Sequence, residues 1–331
     1  HKKVKIYFLC FYKGIKMLNC ALKFYGKMTK IKNIFIILLF SLVVYACGDD
    51  NAFRNPFADV DHKALAISDN DSIVKFLKAH YYDDTVDSVK ALLSGKTAMY
   101  NDSKLKIMDV TENEISYKLY IYVAKEGSAF PNSDKGFPKK VDSVFVKYSG
   151  RTFSGRTFAA NAFDSNIIGI WFNLNSVIGG WTNGMTNFKG GSLKKDPSGG
   201  PFNGPITFLN SGKGVIFIPS GLAYPSSRIQ NQSNSLVDTN LFFYIDLLDF
   251  VKDTDHDNDN VPSYKEDVDG DGDINNDDTD KDGIPNFFDA DDDGDGVLTK
   301  NEDANGDGDP TNDFSDPNNP TLPDYLNPKI K

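Results

Sequence analysis

Histidine and cysteine are scarce in this chain of 331 residues, and their positions exclude several kinds of catalytic site. The four histidines stand at positions 1, 62, 80 and 256, and the three cysteines lie within the first 47 residues. A Ser-His-Asp or Cys-His hydrolase therefore cannot be built from residues 115–252, and neither can a histidine-based zinc site. Glycine-rich segments such as 199–204 lack the Gly-Lys-Ser/Thr ending of a phosphate-binding loop. Any chemistry in this stretch has to work without an imidazole or a thiolate.

The N-terminal residues have the pattern of an export signal. Residues 1–27 show no helical or strand period and begin with His, so we interpret them as a spurious upstream extension, with translation starting at Met28. Segment 28–46 then joins a basic start to an apolar run that is too short to span a bilayer, which is typical of a signal peptide. The run ends at Cys47, and 42–47 resembles a bacterial lipobox. An ordinary signal peptide with a chance cysteine is the alternative.

The lipobox resemblance implies a lipid-anchored protein. Cys47 would carry palmitate or similar acyl chains, each buried CH₂ contributing about 0.8 kcal/mol to membrane binding. Residues 47–60 would form a tether, and the acidic Gly48–Asn51 resembles the export tags of surface lipoproteins, with a solvated linker as the alternative. We expect an outer-membrane location that faces the cell surface, the periplasmic face remaining open. No disulfide is expected, because both other cysteines lie upstream of the cut.

Residues 61–114 are predicted to form a small helical lead-in that packs on the next domain. The stretch 71–80 carries apolar side chains at helical spacing, and Asp69 to Asp71 offer an N-cap. A second helix is predicted over 86–93, where Val86, Val89, Leu92 and Leu93 share one face and Gly95 supplies a stop.

From Ile115 the hydrophobic period changes from helical to two. Residues 117, 119, 121 and 123 are apolar and alternate with Lys118, Tyr120 and Tyr122, which predicts a strand with one buried face. A second strand is predicted over 144–148. The pattern indicates an α+β domain over 115–252, in which an antiparallel half-barrel wraps one short helix near Trp181.

Three motifs in this domain occur in a specific order. They are Val177-Ile-Gly-Gly-Trp181, Ile218-Pro-Ser-Gly-Leu-Ala-Tyr224 and Leu241-Phe-Phe-Tyr-Ile-Asp-Leu-Leu248. Together they resemble the FKBP-type peptidyl-prolyl cis-trans isomerase domain. The resemblance implies an antiparallel half-barrel wrapped on one helix and an isomerase, or rotamase, acting on proline-containing client polypeptides. It also implies that catalysis needs no cofactor.

The same resemblance implies a set of pocket residues. Trp181 would form the floor, the Ile178 amide would donate to the ligand, and the Tyr224 hydroxyl would reach the substrate carbonyl. The matched positions are Tyr148, Phe158, Val177, Ile178, Trp181, Tyr224 and Phe243. Packing in an ordinary core is the alternative for each of them.

The chain departs from the family pattern at three places. The expected Asp after the first aromatic residue is Ala159, although Phe163-Asp164-Ser165 repeats the signature five residues later. Ser235 to Val237 stand where the family has a proline pair, and the stretch 190–211 is an insertion that could lie over the pocket. A second hypothesis is therefore a catalytically silent FKBP-like scaffold attached to an outer-membrane β-barrel assembly or export complex. A surface adhesin on a calcium stalk is a third.

Residues 253–316 are strongly acidic, with 24 Asp or Glu and three Lys. This segment has a net charge of −21 whereas the whole chain has −10, so the remainder is net positive. Acidic groups restart at positions 255, 267, 278, 291 and 303, a period near twelve. Such a negative segment argues against nucleic-acid binding.

The spacing within these repeats matches calcium loops, with carboxylates at positions 1, 3, 5 and 12. The predicted ligands are Asp255, Asp257, Asp259, Glu266, Asp267, Asp269, Asp271, Asp278, Asp280, Asp282, Asp289, Asp291, Asp293, Asp295 and Glu302. Oxygen ligands without His or Cys favour Ca²⁺ over zinc or copper. The loops abut without flanking helices and so resemble thrombospondin type 3 repeats, whereas a solvated acidic linker is the alternative.

Two features lie at the end of this loop-rich calcium-repeat arm. A fifth repeat starts at Asp303 but is incomplete, because Phe314 stands at its position 12. Residues 317–331 are rich in proline and are predicted to form an extended tail that could lie on a partner.

Overall fold

The computed structural model describes residues 60–130, 134–153, 162–195, 204, 206–228 and 236–331. Phe158, Ala159, Ser235 and the N-terminal stretch with Cys47 lie outside the described residues. All described residues belong to one compact unit. None of the helices in this part of the chain combines the length and the hydropathy that a membrane span requires.

A six-stranded sheet organises the unit, and every neighbouring pair of its strands is antiparallel. In chain order the helices and strands are α1 (His62–Ala79), β1 (His80–Asp83), β2 (Ser88–Ala91), β3 (Leu105–Glu112), β4 (Ile115–Lys125), β5 (Ser143–Thr152), β6 (Asp164–Asn173), α2 (Gly179–Gly184), β7 (Ser192–Leu193), β8 (Phe208–Leu209), β9 (Gly212–Ile218) and β10 (Leu241–Val251). The order across the sheet is β3-β4-β9-β10-β5-β6, whereas β1 with β2 and β7 with β8 form separate hairpins. The fold is therefore mixed, with one antiparallel sheet and few helices.

The lead-in contains one helix rather than two. Helix α1 begins at His62, because the Asp61 side chain accepts hydrogen bonds from the amides of residues 63 and 64, both at 3.0 Å. The second predicted helix is wrong, since Ser88–Ala91 is a strand that pairs with β1. Of its predicted apolar face only Val89 is buried, while Leu93 is 59% exposed. The helical spacing of the apolar residues in 86–93 arises by chance. A turn that ends at Asp87, with φ +46°, instead joins β1 and β2 into a hairpin.

The sheet is covered on both faces, which the alternation in β4 did not predict. One face packs on α2 and holds Leu119 and Ile121, whereas the other packs on α1 and the β1–β2 hairpin. Tyr120 and Tyr122, expected on an open face, are only 2% and 1% exposed. Their hydroxyls donate at 2.8 Å to Asn70 and Asp102 respectively. Tyrosine fits both positions because its ring can be buried while its hydroxyl makes a hydrogen bond.

Strand β3 adds an edge to the sheet within residues assigned to the lead-in. It forms a hairpin with β4 through Asn113 and Glu114, which adopt φ of +48° and +61°. Only Val110 of this strand is buried, and Ile107 is 51% exposed. A weakly buried edge strand leaves little alternation in the sequence, so the pattern did not show it.

The acidic region packs on the sheet domain just after β10. Asp142, which is fully buried, accepts hydrogen bonds from the amides of Lys139 at 2.8 Å and Thr254 at 3.1 Å. Ile274 and Phe287 of the repeats also pack against Val141 of the sheet domain. The junction therefore has its own small apolar core and a buried carboxylate that hydrogen-bonds to both regions.

The C-terminal tail is folded, so the prediction of an extended segment over 317–331 is wrong. A 3₁₀ turn at Asp324–Leu326 packs Tyr325 and Leu326 against Val261 of the first repeat, leaving these three side chains 7% exposed or less. The apolar side chains around the prolines, rather than the prolines themselves, decide the conformation of this segment.

Candidate functional site

Helix α2 sits very close to the sheet because it contains glycine where it meets β9. A Cβ atom on Gly180 would lie 2.4 Å from Ile218, and one on Gly184 would lie 2.7 Å from Ile216. Only hydrogen side chains allow this approach. The close packing holds Trp181, the third residue of the helix, against the inner face of the sheet, where it is 4% exposed.

Three aromatic rings surround the Trp181 indole and meet it edge to face. The ring centroids of Tyr148, Phe172 and Phe243 lie 5.0, 5.5 and 5.2 Å from that of Trp181, with interplanar angles of 84°, 84° and 89°. Such T-shaped pairs are favourable beyond the area they bury. The four rings form a rigid apolar box that is open on one side.

A cavity of about 380 Å³ opens above this box. Its lining is Tyr148, Asp164, Phe172, Ser176, Val177, Ile178, Trp181, Ala223, Tyr224, Arg228 and Phe243. Six of the seven residues predicted from the sequence are thus brought together, and Phe158 lies outside the described residues. Phe172 was not predicted, although its place in the strand-like alternation before Trp181 could have indicated it.

The polar groups at this cavity come from two tyrosines and a carboxylate. The Tyr148 hydroxyl donates to Asp164 at 2.9 Å, and burial with Asp164 nearby raises the pKa of Tyr148 to about 12. Burial, followed by Asp164, also raises the pKa of Tyr224. Among the described residues the Tyr224 hydroxyl has no hydrogen-bond partner. Both phenols therefore stay protonated at neutral pH, and that of Tyr224 can donate to a ligand.

The location of Asp164 bears on the register left open by the sequence. Phe163, just before it, meets Phe243 edge to face at 5.5 Å, and Asp164 begins β6. The Phe163-Asp164-Ser165 copy of the signature thus lies beside the pocket.

The loop that carries Tyr224 is fixed by a buried carboxylate from the lead-in helix. Asp69 accepts hydrogen bonds from the Ser220 amide at 2.9 Å and from its hydroxyl at 2.6 Å. On the other side, the Asp238 amide donates to the Tyr224 carbonyl at 3.1 Å. Asp69 was predicted to be part of an N-cap. Because α1 starts earlier than expected, this residue lies within the helix, where it positions the pocket loop instead.

One histidine outside the predicted domain reaches the neighbourhood of this loop. His62 Nε2 lies 3.4 Å from the Ser226 hydroxyl, while His62 Nδ1 is buried and has no hydrogen-bond partner in the part of the chain that the structure describes. A catalytic triad needs an acidic group on that second nitrogen. The Ser226–His62 pair therefore lacks the arrangement of a hydrolase.

The insertion at 190–211 does not line the cavity with its described residues. The ring centroids of Phe208 and Phe145 lie 5.6 Å apart. Phe145 is on the face of β5 opposite to the core residues Val144 and Val146. The suggestion that the insertion lies over the pocket stays open for residues 196–203 and 205, which fall outside the described residues.

The acidic repeats share one backbone conformation. In each of the five loops the amide at position 6 donates to the carboxylate at position 1, and the position 6 residue has positive φ. The five pairs are Asn260 to Asp255 (3.1 Å), Gly272 to Asp267 (3.0 Å), Gly283 to Asp278 (3.0 Å), Gly296 to Asp291 (3.1 Å) and Gly308 to Asp303 (2.7 Å). Asn260 adopts the left-handed conformation that glycine takes elsewhere, so the first loop keeps the turn.

This conformation gathers carboxylate oxygens. In each of four loops the three acidic groups at positions 1, 3 and 5 offer oxygens within 4.8 Å of one another, and these triplets begin at Asp255, Asp267, Asp278 and Asp291. Three carboxylates at such distances repel one another strongly unless a positive charge lies between them.

Several of these oxygens are buried and have no hydrogen-bond partner in the described chain. They include both carboxylate oxygens of Asp257, Glu266 and Glu302. Burial, with nearby carboxylates adding to it, raises the pKa of Glu266 to about 10 and that of Glu302 to about 8. Closely packed oxygen ligands without nitrogen or sulfur fit a hard divalent cation such as calcium.

Comparison with known proteins found one family model and a set of similar solved structures. A family model described as BamM C-terminal matches residues 256–326, the acidic repeats and the folded tail. Among solved structures, the chain is similar to a peptidyl-prolyl cis-trans isomerase from Pseudomonas syringae pv. tomato, with 19% identity, TM-score 0.34, and coverage of 58% of this chain and 98% of the other. It is also similar to FkpA from Escherichia coli, with 18% identity, TM-score 0.31, and coverage of 72% and 81%. Both TM-scores lie below 0.5, so neither structure bears on how this chain acts. A search of curated proteins found no match.

Proposed function

We propose that this protein is a lipid-anchored peptidyl-prolyl cis-trans isomerase and chaperone of the outer membrane, which assists the folding of exported proteins. The observation that carries the proposal is the open box of Tyr148, Phe172, Trp181 and Phe243 beneath a cavity of about 380 Å³. A proline ring is apolar and flat enough to stack on such a floor, and the cavity is large enough for a proline with its neighbouring peptide groups.

Isomerisation of an Xaa-Pro bond needs no nucleophile, metal or acid-base pair. Its barrier of about 18 to 20 kcal/mol arises from amide resonance, which is lost when the peptide bond twists. A dry apolar site favours the twisted amide, because the twisted form has less charge separation than the planar one. The scarcity of histidine near the pocket is therefore compatible with this reaction.

The polar groups at the rim would orient the substrate. We assign the Tyr224 hydroxyl and the Ile178 amide as donors to the carbonyl groups that flank the proline, since both line the cavity. Tyr148 is held by Asp164 and would act through its ring. Uncatalysed exchange takes tens to hundreds of seconds, so even a modest acceleration helps a secreted chain to fold.

The acidic repeats would act as a calcium-stiffened arm. Their carboxylate triplets and buried unpaired oxygens fit calcium, which when bound would neutralise the repulsion and fix the loops. The match to the BamM C-terminal model supports a link between this arm and an outer-membrane assembly complex. Anchoring through Cys47 and exposure at the cell surface complete the proposal.

A second function is favoured by the same match. If the arm docks on a β-barrel assembly, the sheet domain could serve there as a silent binding module, which would agree with the missing proline pair at 235–237.

A protease-coupled assay with a chromogenic proline peptide separates the two functions. Trp181→Ala should lower kcat/KM by at least about tenfold, equivalent to about 1.4 kcal/mol of transition-state stabilisation. Tyr224→Phe should lower it by about two- to tenfold, the value of one hydrogen bond. The chain offers matched controls: Trp171 is half-exposed on β6 outside the cavity, and the Tyr244 hydroxyl bonds to the Val89 amide on the other face of the sheet.

Trp171→Ala and Tyr244→Phe should retain the wild-type rate. If folded wild-type protein gives the same rate as buffer, the isomerase proposal fails and the scaffold function takes its place. Capture of an outer-membrane β-barrel protein by the wild-type chain, tested in solubilised membranes, would then be the positive evidence for a scaffold.

A further inference from the structure

One carboxylate in the acidic repeats does not follow the calcium-loop spacing. Asp292 stands at position 2 of the fourth loop, where the other four loops have His256, Val268, Thr279 and Ala304. A side chain at this position is not a ligand in the linear pattern. Asp292 is nevertheless only 1% exposed, so its burial needs another explanation.

The structure brings Asp292 to the first loop. Asp292, Asp259 and Glu266 each offer an oxygen within 4.8 Å of the others, although Asp259 and Asp292 are far apart in the sequence. All three side chains are 1% exposed or less. Three buried carboxylates from two separate loops therefore meet at one point.

In two of these carboxylates, one oxygen accepts a hydrogen bond, and this bond fixes the position of the other oxygen. Asp259 Oδ1 accepts from the Val261 amide at 2.7 Å, and Asp292 Oδ2 accepts from the Thr299 hydroxyl at 3.1 Å. Asp259 Oδ2, Asp292 Oδ1 and both oxygens of Glu266 have no hydrogen-bond partner within the described residues. The unpaired oxygens are those that remain for a common ligand.

We propose that Asp259, Glu266 and Asp292 bind one divalent cation that joins the first acidic loop to the fourth. An oxygen-only set of three carboxylates is selective for a hard cation, and calcium tolerates ligands that converge from separate loops. Buried charges of one sign are otherwise strongly unfavourable, and no lysine or arginine in the described chain pairs with any of the three. This site rests on the proposed calcium binding, with Asp259 and Glu266 shared between it and the first loop, and it does not depend on the isomerase pocket.

The C-terminal turn packs beside this site. Tyr325, which is 3% exposed, packs with Val261, two residues after Asp259. Burial, with the charges of Asp292, Glu266 and Asp259 adding to it, raises the pKa of Tyr325. A cation here would cross-link the first and fourth loops beside the folded tail. A cross-link between positions that are distant in the sequence removes more conformational entropy from the unfolded chain than a link within one loop does.

The test compares two isosteric changes in the full chain. Asp292→Asn removes one proposed ligand, and Asp273→Asn is the matched control because Asp273 is exposed and outside every carboxylate cluster. Calcium titration calorimetry and native mass spectrometry then count the bound ions. We expect Asp292→Asn to bind one ion fewer than wild type at concentrations that saturate wild type, and Asp273→Asn to bind the full number.

A second measurement covers the case in which Asp292→Asn fails to fold. Terbium replaces calcium and is excited by a tyrosine within a few ångströms, so Tyr325→Phe should lower the sensitised emission while Tyr244→Phe leaves it unchanged. Equal ion counts for wild type and Asp292→Asn, or unchanged emission from Tyr325→Phe, would overturn the cross-loop site alone. Failure of wild type to bind any calcium would overturn the calcium-arm proposal as well.

Discussion

The sheet domain and the acidic arm order their backbones in opposite ways. In the sheet domain, strands pair through backbone hydrogen bonds and two apolar clusters cover both faces of the sheet. Residues 253–331 contain no α-helix or strand, and the loop amides donate instead to Asp side chains. The buried groups of the arm include nine carboxylates, among them Asp259, Glu266 and Asp292. The first region can fold by removing apolar surface from water, whereas under the proposed calcium binding the second would be ordered by cations.

Removal of calcium should produce the largest difference between the two regions. With excess chelator, amide hydrogen exchange in 253–327 should rise to the rate of an unstructured peptide, because the carboxylates then repel one another. Exchange in β4, β9 and β10 should stay slow. Mass spectrometry of exchanged peptides makes the measurement, and an arm that keeps its protection in chelator would contradict the assignment.

A cavity in the second core should affect only the sheet domain. Leu77→Ala removes a fully buried side chain between α1 and the sheet, and should lower the free energy of unfolding by about 2–5 kcal/mol. Leu93→Ala, at a side chain that is 59% exposed, should change it by less than about 0.5 kcal/mol. Denaturant titration checks both. Equal losses in the two variants would mean that the helix does not stabilise the sheet.

A larger side chain between α2 and the sheet should lower both the stability of the domain and the activity of the pocket. Gly180→Ala would place a methyl group against Ile218, costing about 1–3 kcal/mol and tilting Trp181. We expect a lower unfolding midpoint together with a lower kcat/KM. Gly270→Ala serves as a control in the arm, where a Cβ would meet no atom within 4 Å although φ is +75°. This control should cost stability through backbone strain but leave isomerisation unchanged.

Varying pH should have the smallest effect on the pocket. The raised pKa values of Tyr148 and Tyr224 mean that both phenols keep their protons throughout the range from pH 6 to 9. The isomerisation rate should therefore vary by less than about twofold across this range. A rate that changes by more than this between pH 6 and 9 would contradict the assignment of the two phenols.

The sequence predicted the parts of this molecule in which spacing is local. The hydrophobic pattern located β4 and β5, the family resemblance located three of the four rings of the aromatic box, and the period near twelve located the acidic loops. It missed β3, because an edge strand buries only Val110, and it missed the second covered face, because tyrosines such as Tyr120 look like surface residues beside Lys118. The second of these errors comes from judging burial by polarity alone.

The remaining errors concern contacts between residues that are distant in the sequence. Asp69 bonds to Ser220, and Asp292 meets Asp259 and Glu266. No periodicity reports such contacts, since they depend on how whole elements dock. The same holds for Tyr325, which local proline content suggested to be extended but which the first loop buries.

Exchange spectroscopy on an Xaa-Pro peptide with the wild-type protein, in calcium and in chelator, tests the central claim most directly. No protease is present, so a loosened arm is not digested and the sheet domain is observed by itself. The account predicts faster cis-trans exchange in both conditions, and loss of that acceleration in Trp181→Ala but not in Trp171→Ala. Exchange at the uncatalysed rate in the presence of folded wild-type protein would contradict the claim that the aromatic box is an isomerase site.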